Sequence, residues 1–149
     1  MSNYALLIED MIFSFSRVNS FKQCHYAWLK QYILEEERTS GYYGEYGGFM
    51  HHILEKYFKG ELEIFELAGY YKKHYNEFIT SVAPPRPANL TEKYYQEGLD
   101  FLENFEFDLE QYEILGVEKE LNFTIGKFKF TGFIDLLLRN KETGEIIIY

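Results

Sequence analysis

Glu113-Ile114-Leu115-Gly116-Val117-Glu118-Lys119-Glu120-Leu121-Asn122-Phe123-Thr124-Ile125-Gly126-Lys127-Phe128-Lys129-Phe130-Thr131-Gly132-Phe133-Ile134-Asp135-Leu136-Leu137-Leu138 is the stretch from which the fold is read. Leu115, Val117, Leu121, Phe123 and Ile125 stand at alternate positions, with Lys119 interrupting them. Phe128, Phe130, Ile134, Leu136 and Leu138 take up the same period of two beyond Gly126-Lys127. Alternation of this kind sends successive side chains to opposite faces of a strand, so the spacing predicts a β-hairpin turning at Gly126-Lys127. A second turn, Asn140-Lys141-Glu142-Thr143-Gly144, leads into Ile146-Ile147-Ile148-Tyr149, whose unbroken β-branched run predicts a strand buried on both faces. The expectation is a three-stranded antiparallel meander whose last strand starts and is then cut short. A buried central strand needs a partner on each side, so the C-terminal part of the sheet is expected to be missing from this chain.

Working back toward the N-terminus, the period becomes 3.6. Ser16 can cap a helix carrying Val18, Phe21, His25, Trp28, Leu29, Tyr32 and Ile33 at three- and four-residue spacing, ending before Glu35-Glu36-Glu37-Arg38. Thr39 to Gly48 holds four glycines and reads as a mobile loop. A second helix is expected from Gly48 to Lys59, with Met50, Ile53, Leu54, Tyr57 and Phe58 inward and Gly60 as its stop. A third is expected from Leu62 to Ile79, and a fourth, capped by Thr91 or Asn89, uses Tyr94, Tyr95, Leu99, Leu102 and Phe105. Ala83-Pro84-Pro85-Arg86-Pro87 must be extended, since prolines so close together cannot be helical. The fold class expected is therefore α/β in an α+β arrangement: helices over about 14–108, strands over about 113–149, one domain in all.

The 149 residues carry 15 Lys+Arg against 24 Asp+Glu, a formal charge of −9, with 46% hydrophobic and 19% aromatic residues. That much apolar surface excludes a disordered tail. The acidic total argues against coating nucleic acid by bulk charge, because phosphate binding rests on Lys and Arg displacing counterions. The excess is local, though: nine acids and one Lys lie between Glu97 and Glu120. Any nucleic acid is then expected to be held at a site. No apolar run reaches the length needed to span a bilayer, and Glu9-Asp10 stands where a signal peptide would be basic, so the expectation is a cytoplasmic protein without a membrane partner. With Cys24 the single cysteine, neither an intrachain disulfide nor a Cys-only zinc site can close.

Three acids and a histidine invite chemistry. Glu118 and Glu120 are expected on one face of the first hairpin strand, Glu118 as either a functional or an exposed strand carboxylate. Asp135 interrupts an apolar second strand and is either a strand-end surface carboxylate or one that is paired or metal-bound, since an unpaired charge among Phe, Ile and Leu costs several kcal/mol. His51 and His52 open the second helix, with Glu55 one turn beyond His51. His51 and Asp135 together offer one nitrogen and one carboxylate, suited to Mg²⁺ or Mn²⁺ but incomplete as a site.

In order, these pieces resemble the RecB-like branch of the PD-(D/E)xK nuclease superfamily, which also holds AddB-type end-processing nucleases and the CRISPR adaptation nucleases. Ser14-Phe15-Ser16-Arg17-Val18 followed by Phe21, Cys24, His25 and Tyr26 matches that branch's opening motif, except that His25 stands where the family has proline. Gly47-Gly48-Phe49-Met50-His51-His52-Ile53-Leu54-Glu55 matches its Gly-x-x-x-His signature, with His51 in the metal-ligand place. Glu118 on a strand, then Gly132-Phe133-Ile134-Asp135 after the hairpin, matches the third. The defining fourth, an aliphatic strand running into Asp/Glu-x-Lys, is begun by Glu145 to Tyr149 and not completed.

The resemblance implies a restriction-endonuclease-like core with N-terminal helices, a helical insertion and a central mixed sheet. It implies metal-dependent hydrolysis of DNA phosphodiesters with Mg²⁺ or Mn²⁺, as an exonuclease or DNA-end-processing enzyme of recombination, repair, phage or CRISPR context. His51 and Asp135 are the implied ligands, and Glu118 the implied supporting catalytic carboxylate. Lys56 and the tyrosines Tyr42, Tyr43 and Tyr46 are either strand-guiding contacts or packing. DNA ends or single strands, and a helicase or recombination protein, are the implied partners. An iron–sulfur cluster needs four thiolates, so Cys24 could serve one only with later cysteines in a longer parent. Without the closing acid and lysine, the chain is expected to be a weak or inactive fragment; the alternative is a non-catalytic nuclease-like module that binds DNA ends or a helicase.

Overall fold

The computed structural model describes residues 8–36, 40–86 and 88–149. Glu37 and Arg38 of the charged run, Thr39 of the glycine-rich stretch and Pro87 of the proline segment lie outside them. Among the described residues the elements run β1 (Ile12–Phe13), α1 (Phe15–Gln23), α2 (His25–Tyr32), α3 (Tyr42–Phe58), a 3₁₀ turn (Ile64–Glu66), α4 (Leu67–Phe78), α5 (Leu90–Glu103), β2 (Tyr112–Ile125), β3 (Phe128–Asn140) and β4 (Ile146–Ile148). The four strands form one mixed sheet in which β3 neighbours each of the others. The chain falls into two compact units, 1–39 with 118–135, and 40–117 with 136–149; β2 and β3 run through both.

In the first unit β1 pairs parallel with β3, Ile12 against Lys129 and Phe13 against Phe130. Phe13 packs on Phe128 and Phe130 at 5.6 and 5.7 Å between ring centroids, and Phe123 stacks on Phe130 at 5.6 Å. The helix expected to run unbroken from Ser16 is two helices. Its cap is Ser14, whose Oγ accepts from the Arg17 N–H at 3.2 Å. At Cys24 the backbone is extended (φ −156°, ψ 105°), ending α1 through an N–H bond to Ser20 and opening α2 with Sγ accepting from the Ala27 N–H at 3.4 Å.

In the second unit, α3 starts six residues earlier than the Gly48 expected, and the glycine-rich stretch forms its first turns. Glycines cost a helix about 1 kcal/mol each. Here Tyr42, Phe49, Ile53 and Tyr57, at helical spacing, are all buried, and that burial offsets the cost. Gly60, at φ +73°, ends the helix as expected, its N–H and that of Glu61 capping the carbonyls of Tyr57 and Lys56. The third helix begins later than Leu62, after the 3₁₀ turn, where Glu63 and Glu66 cap one another's backbone. Asn89 takes the cap position of α5 in the left-handed conformation, without a side-chain cap bond.

Phe49, Ile53, Tyr57, Leu67, Tyr71, Tyr75, Leu99 and Leu102 of α3, α4 and α5 make the core of this unit. Gly98 fits that core because a Cβ there would lie 2.5 Å from the Tyr46 hydroxyl and 2.7 Å from that of Tyr71. Burial pushes the Tyr71 and Tyr75 phenols far up, leaving their hydroxyls to serve as neutral hydrogen-bond partners, Tyr71 donating to the Tyr95 carbonyl at 3.1 Å. The meander closes as predicted: Asn140 Oδ1 accepts from the N–H groups of Glu142 and Thr143, and β4 pairs antiparallel with β3, Leu138 against Ile147. The double-sided burial expected of β4 is not found. Ile146 and Ile148 are 49% and 64% exposed, because β3 is the strand's partner on one edge and nothing among the described residues pairs with the other.

Candidate metal centre

Each candidate donor is set by its own element. On α3 the adjacent histidines are sorted by packing: His52 stacks on Phe78 at 5.1 Å and its Nε2 lies 3.4 Å from the Tyr70 hydroxyl, while His51 is exposed. Glu55, expected on His51's face, pairs with Lys59 and lies 4.0 Å from His52 Nδ1. His51 keeps its ring free of both.

The hairpin brings the two carboxylates together. Ile125 and Phe128 flank the two-residue turn, and Glu118 and Asp135 lie equally far from it along β2 and β3. Their ligating oxygens come within 4.8 Å of one another. Glu118 does so at φ +50°, in the left-handed region, the one strand residue without glycine's freedom to take such a value among the described residues. This costs on the order of 1 kcal/mol or more. Glu120 accepts from Asn122 Nδ2 at 3.1 Å and from Thr131 Oγ1 at 3.3 Å across the hairpin. Asp135 is exposed, so its carboxylate is not buried among the apolar residues of β3.

None of the His51, Glu118 and Asp135 side chains has a hydrogen bond or ion pair among the described residues, whereas those of their neighbours His52, Glu55 and Glu120 all do. Glu118 is half-buried even so, which leaves its carboxylate short of a counter-charge. One imidazole and two carboxylates form a group that could hold a metal ion, one ligand atom from each residue. Glu118, expected as a supporting carboxylate beside the pair His51 and Asp135, is the third member of this group.

Other sequence candidates are occupied. Tyr42 is 3% exposed, its hydroxyl 3.2 Å from that of Tyr75, so it is core and not a platform for a base. Tyr46 packs edge-on against Tyr94 at 5.0 Å, and burial raises its phenol; Tyr43, half-exposed, packs against the same ring at 5.6 Å. Lys56 is bound to Glu61 at 2.6 Å, a hydrogen bond that holds the ammonium above its ordinary pKa. Cys24 is a free, exposed thiol at the junction of α1 and α2.

Among the described residues no helix is long and apolar enough to cross a membrane. A family model described as the PD-(D/E)XK nuclease superfamily matches residues 12–149. No curated protein and no solved structure matches the chain.

Proposed function

The chain belongs to the PD-(D/E)XK nuclease superfamily, a superfamily of nucleases, and from that premise we propose that it is a divalent-metal-dependent deoxyribonuclease domain of the RecB-like branch. Five helices and a mixed four-stranded sheet among the described residues are consistent with a restriction-endonuclease-like core. In this reading it is one domain that works in the cytoplasm on DNA ends or single strands, as an exonuclease or end-processing enzyme of recombination, repair, phage or CRISPR context, beside a helicase or recombination partner.

The observation that carries the reading is the unpaired donor set. His51 brings a nitrogen and Glu118 and Asp135 bring two carboxylates without an ion-pair partner among the described residues, so a divalent ion completes the local electrostatics. Mostly oxygen donors with a single imidazole suit Mg²⁺ or Mn²⁺. When bound, such an ion makes a nucleophile of water near neutral pH and offsets charge on a phosphate in transfer. The protein's part is to hold the three donors, one of them, Glu118, on a left-handed backbone position.

In these residues no lysine stands two places beyond an acid on or after β4, the position the superfamily's name describes. We infer that the 149-residue chain binds metal and cleaves DNA weakly or not at all. The same feature favours a second reading, a nuclease-like module that binds DNA without cutting it. Calorimetric Mn²⁺ titration and a cleavage assay with Mg²⁺ and Mn²⁺ test both. Mn²⁺ binding that is lost in His51→Ala and Asp135→Asn is the expected result; a parent chain that takes up no Mn²⁺ overturns the metal centre. Robust cleavage abolished by His51→Ala overturns the inference of a weak fragment and, with it, the non-cutting module.

A further inference from the structure

The stretch that carries α1 and α2 differs from the rest of the chain in charge. From Met11 to Leu34 there is no Asp or Glu, in a chain that has 24, while Arg17, Lys22 and Lys30 all fall within that stretch. The same helices leave Phe15, Phe21 and Tyr26 82%, 45% and 66% exposed, with Trp28 alone buried. Rings and cations alternate along the sequence, from Phe15 and Arg17 through Phe21 and Lys22 to Tyr26 and Lys30. Phe21 lies against His25 across the Cys24 break, ring centroids 4.2 Å apart, and Lys30 Nζ stands 5.4 Å from the centre of the Tyr26 ring.

A purely apolar partner would cover the rings and strand the cations in a dry interface, and an acidic protein surface would do the reverse. A single strand of nucleic acid satisfies both, because its bases offer flat faces to aromatic rings and its phosphates accept from lysines. Lys30 now pairs with Glu36 at 2.9 Å, but with side chains 39% and 51% exposed that pair is one a phosphate can replace at little cost. Duplex DNA fits poorly, since its bases are already stacked on each other.

We propose that α1 and α2 form a docking surface for single-stranded DNA, with Phe21, His25 and Tyr26 stacking on bases and Lys22 and Lys30 meeting phosphates. The choice of DNA rests on the nuclease reading; the charge and the exposed rings do not. Fluorescence anisotropy of labelled oligo-dT with the full 149-residue chain in EDTA tests it. Tyr26→Ser is expected to weaken binding about tenfold. Lys22→Gln with Lys30→Gln is expected to flatten the dependence of log affinity on log salt by about 1.4. Unchanged melting temperatures show that these exposed positions have not disturbed the fold. An absence of oligo-dT binding, variants that bind like the parent, or a duplex bound as tightly as oligo-dT each overturns the proposal. The two readings fail separately: a chain that binds Mn²⁺ through His51 and ignores oligo-dT loses this surface and keeps the metal centre, and one that binds oligo-dT through Tyr26 and ignores Mn²⁺ does the opposite.

Discussion

At Glu118 backbone preference competes with the proposed role as a metal ligand. A left-handed φ of +50° on a residue with a full side chain is uphill, and nothing in the local hydrogen bonding repays it, because its carboxylate has no partner among the described residues. Asparagine tolerates that conformation better and keeps an oxygen donor, but carries no charge. Glu118→Asn is therefore expected to raise stability in EDTA by about 0.5–1 kcal/mol, seen as a higher urea midpoint, while weakening Mn²⁺ binding in the same preparation. A lower midpoint would mean that the left-handed backbone is not strained. This conflict was not legible in the sequence, because a glutamate within a strand carries no sign of a left-handed backbone. The histidines were no clearer. His51 and His52 are adjacent, and only the placement of Phe78 and Tyr70, brought from α4, takes one and leaves the other.

At the scale of elements, hydrophobic period recovered the hairpin, its Gly126-Lys127 turn and the Gly60 stop, because those depend on neighbours in sequence. It missed what depends on partners far away. The first turns of α3 read as a loop by their glycines, yet Tyr42, Tyr46, Phe49, Ile53 and Tyr57 carry a helical stripe whose burial against α4 and α5 outweighs the glycine penalty. The start of α3 is further held by Glu45, one carboxylate receiving the N–H groups of Thr80 and Ser81 at 2.8 Å each and the Ser81 hydroxyl at 2.6 Å. The Ser81 bonds first, then those of Thr80, draw the Glu45 carboxyl below its ordinary 4.5. A carboxyl depressed in the folded state binds its proton more readily when unfolded, so its stabilisation is complete above pH 4.5 and is lost as the pH falls below that through the depressed value. The stability difference between the parent and Glu45→Gln, from urea titrations across the acid range, should then be constant near neutrality and shrink below pH 4.5. A difference that held or grew on acidification would dissociate the clip from the Glu45 charge.

For the molecule as a whole, the formal charge of −9 hides two regions of opposite use: nine acids between Glu97 and Glu120, and an acid-free run from Met11 to Leu34. The acidic flank was plain in the composition, but the basic run gains meaning only when α1 and α2 are seen to leave their rings in water. The charge also bears on how metal binding must be tested. Any divalent ion stabilises an acidic chain somewhat, by screening and by loose association with the flank, so a higher melting temperature in Mn²⁺ does not by itself locate a site. A ligand that binds only the folded state at a hundred times its Kd adds about 2.7 kcal/mol. In a domain of this size that is a rise of about 5–10 °C. Measured at constant ionic strength, this rise is expected in the parent. His51→Ala decides its origin, because it removes a nitrogen donor and leaves every carboxylate of the flank in place. If the rise disappears in His51→Ala, the ion is held at the group containing Glu118 and Asp135; if it persists undiminished, the acidic flank is the binder and His51 is no ligand.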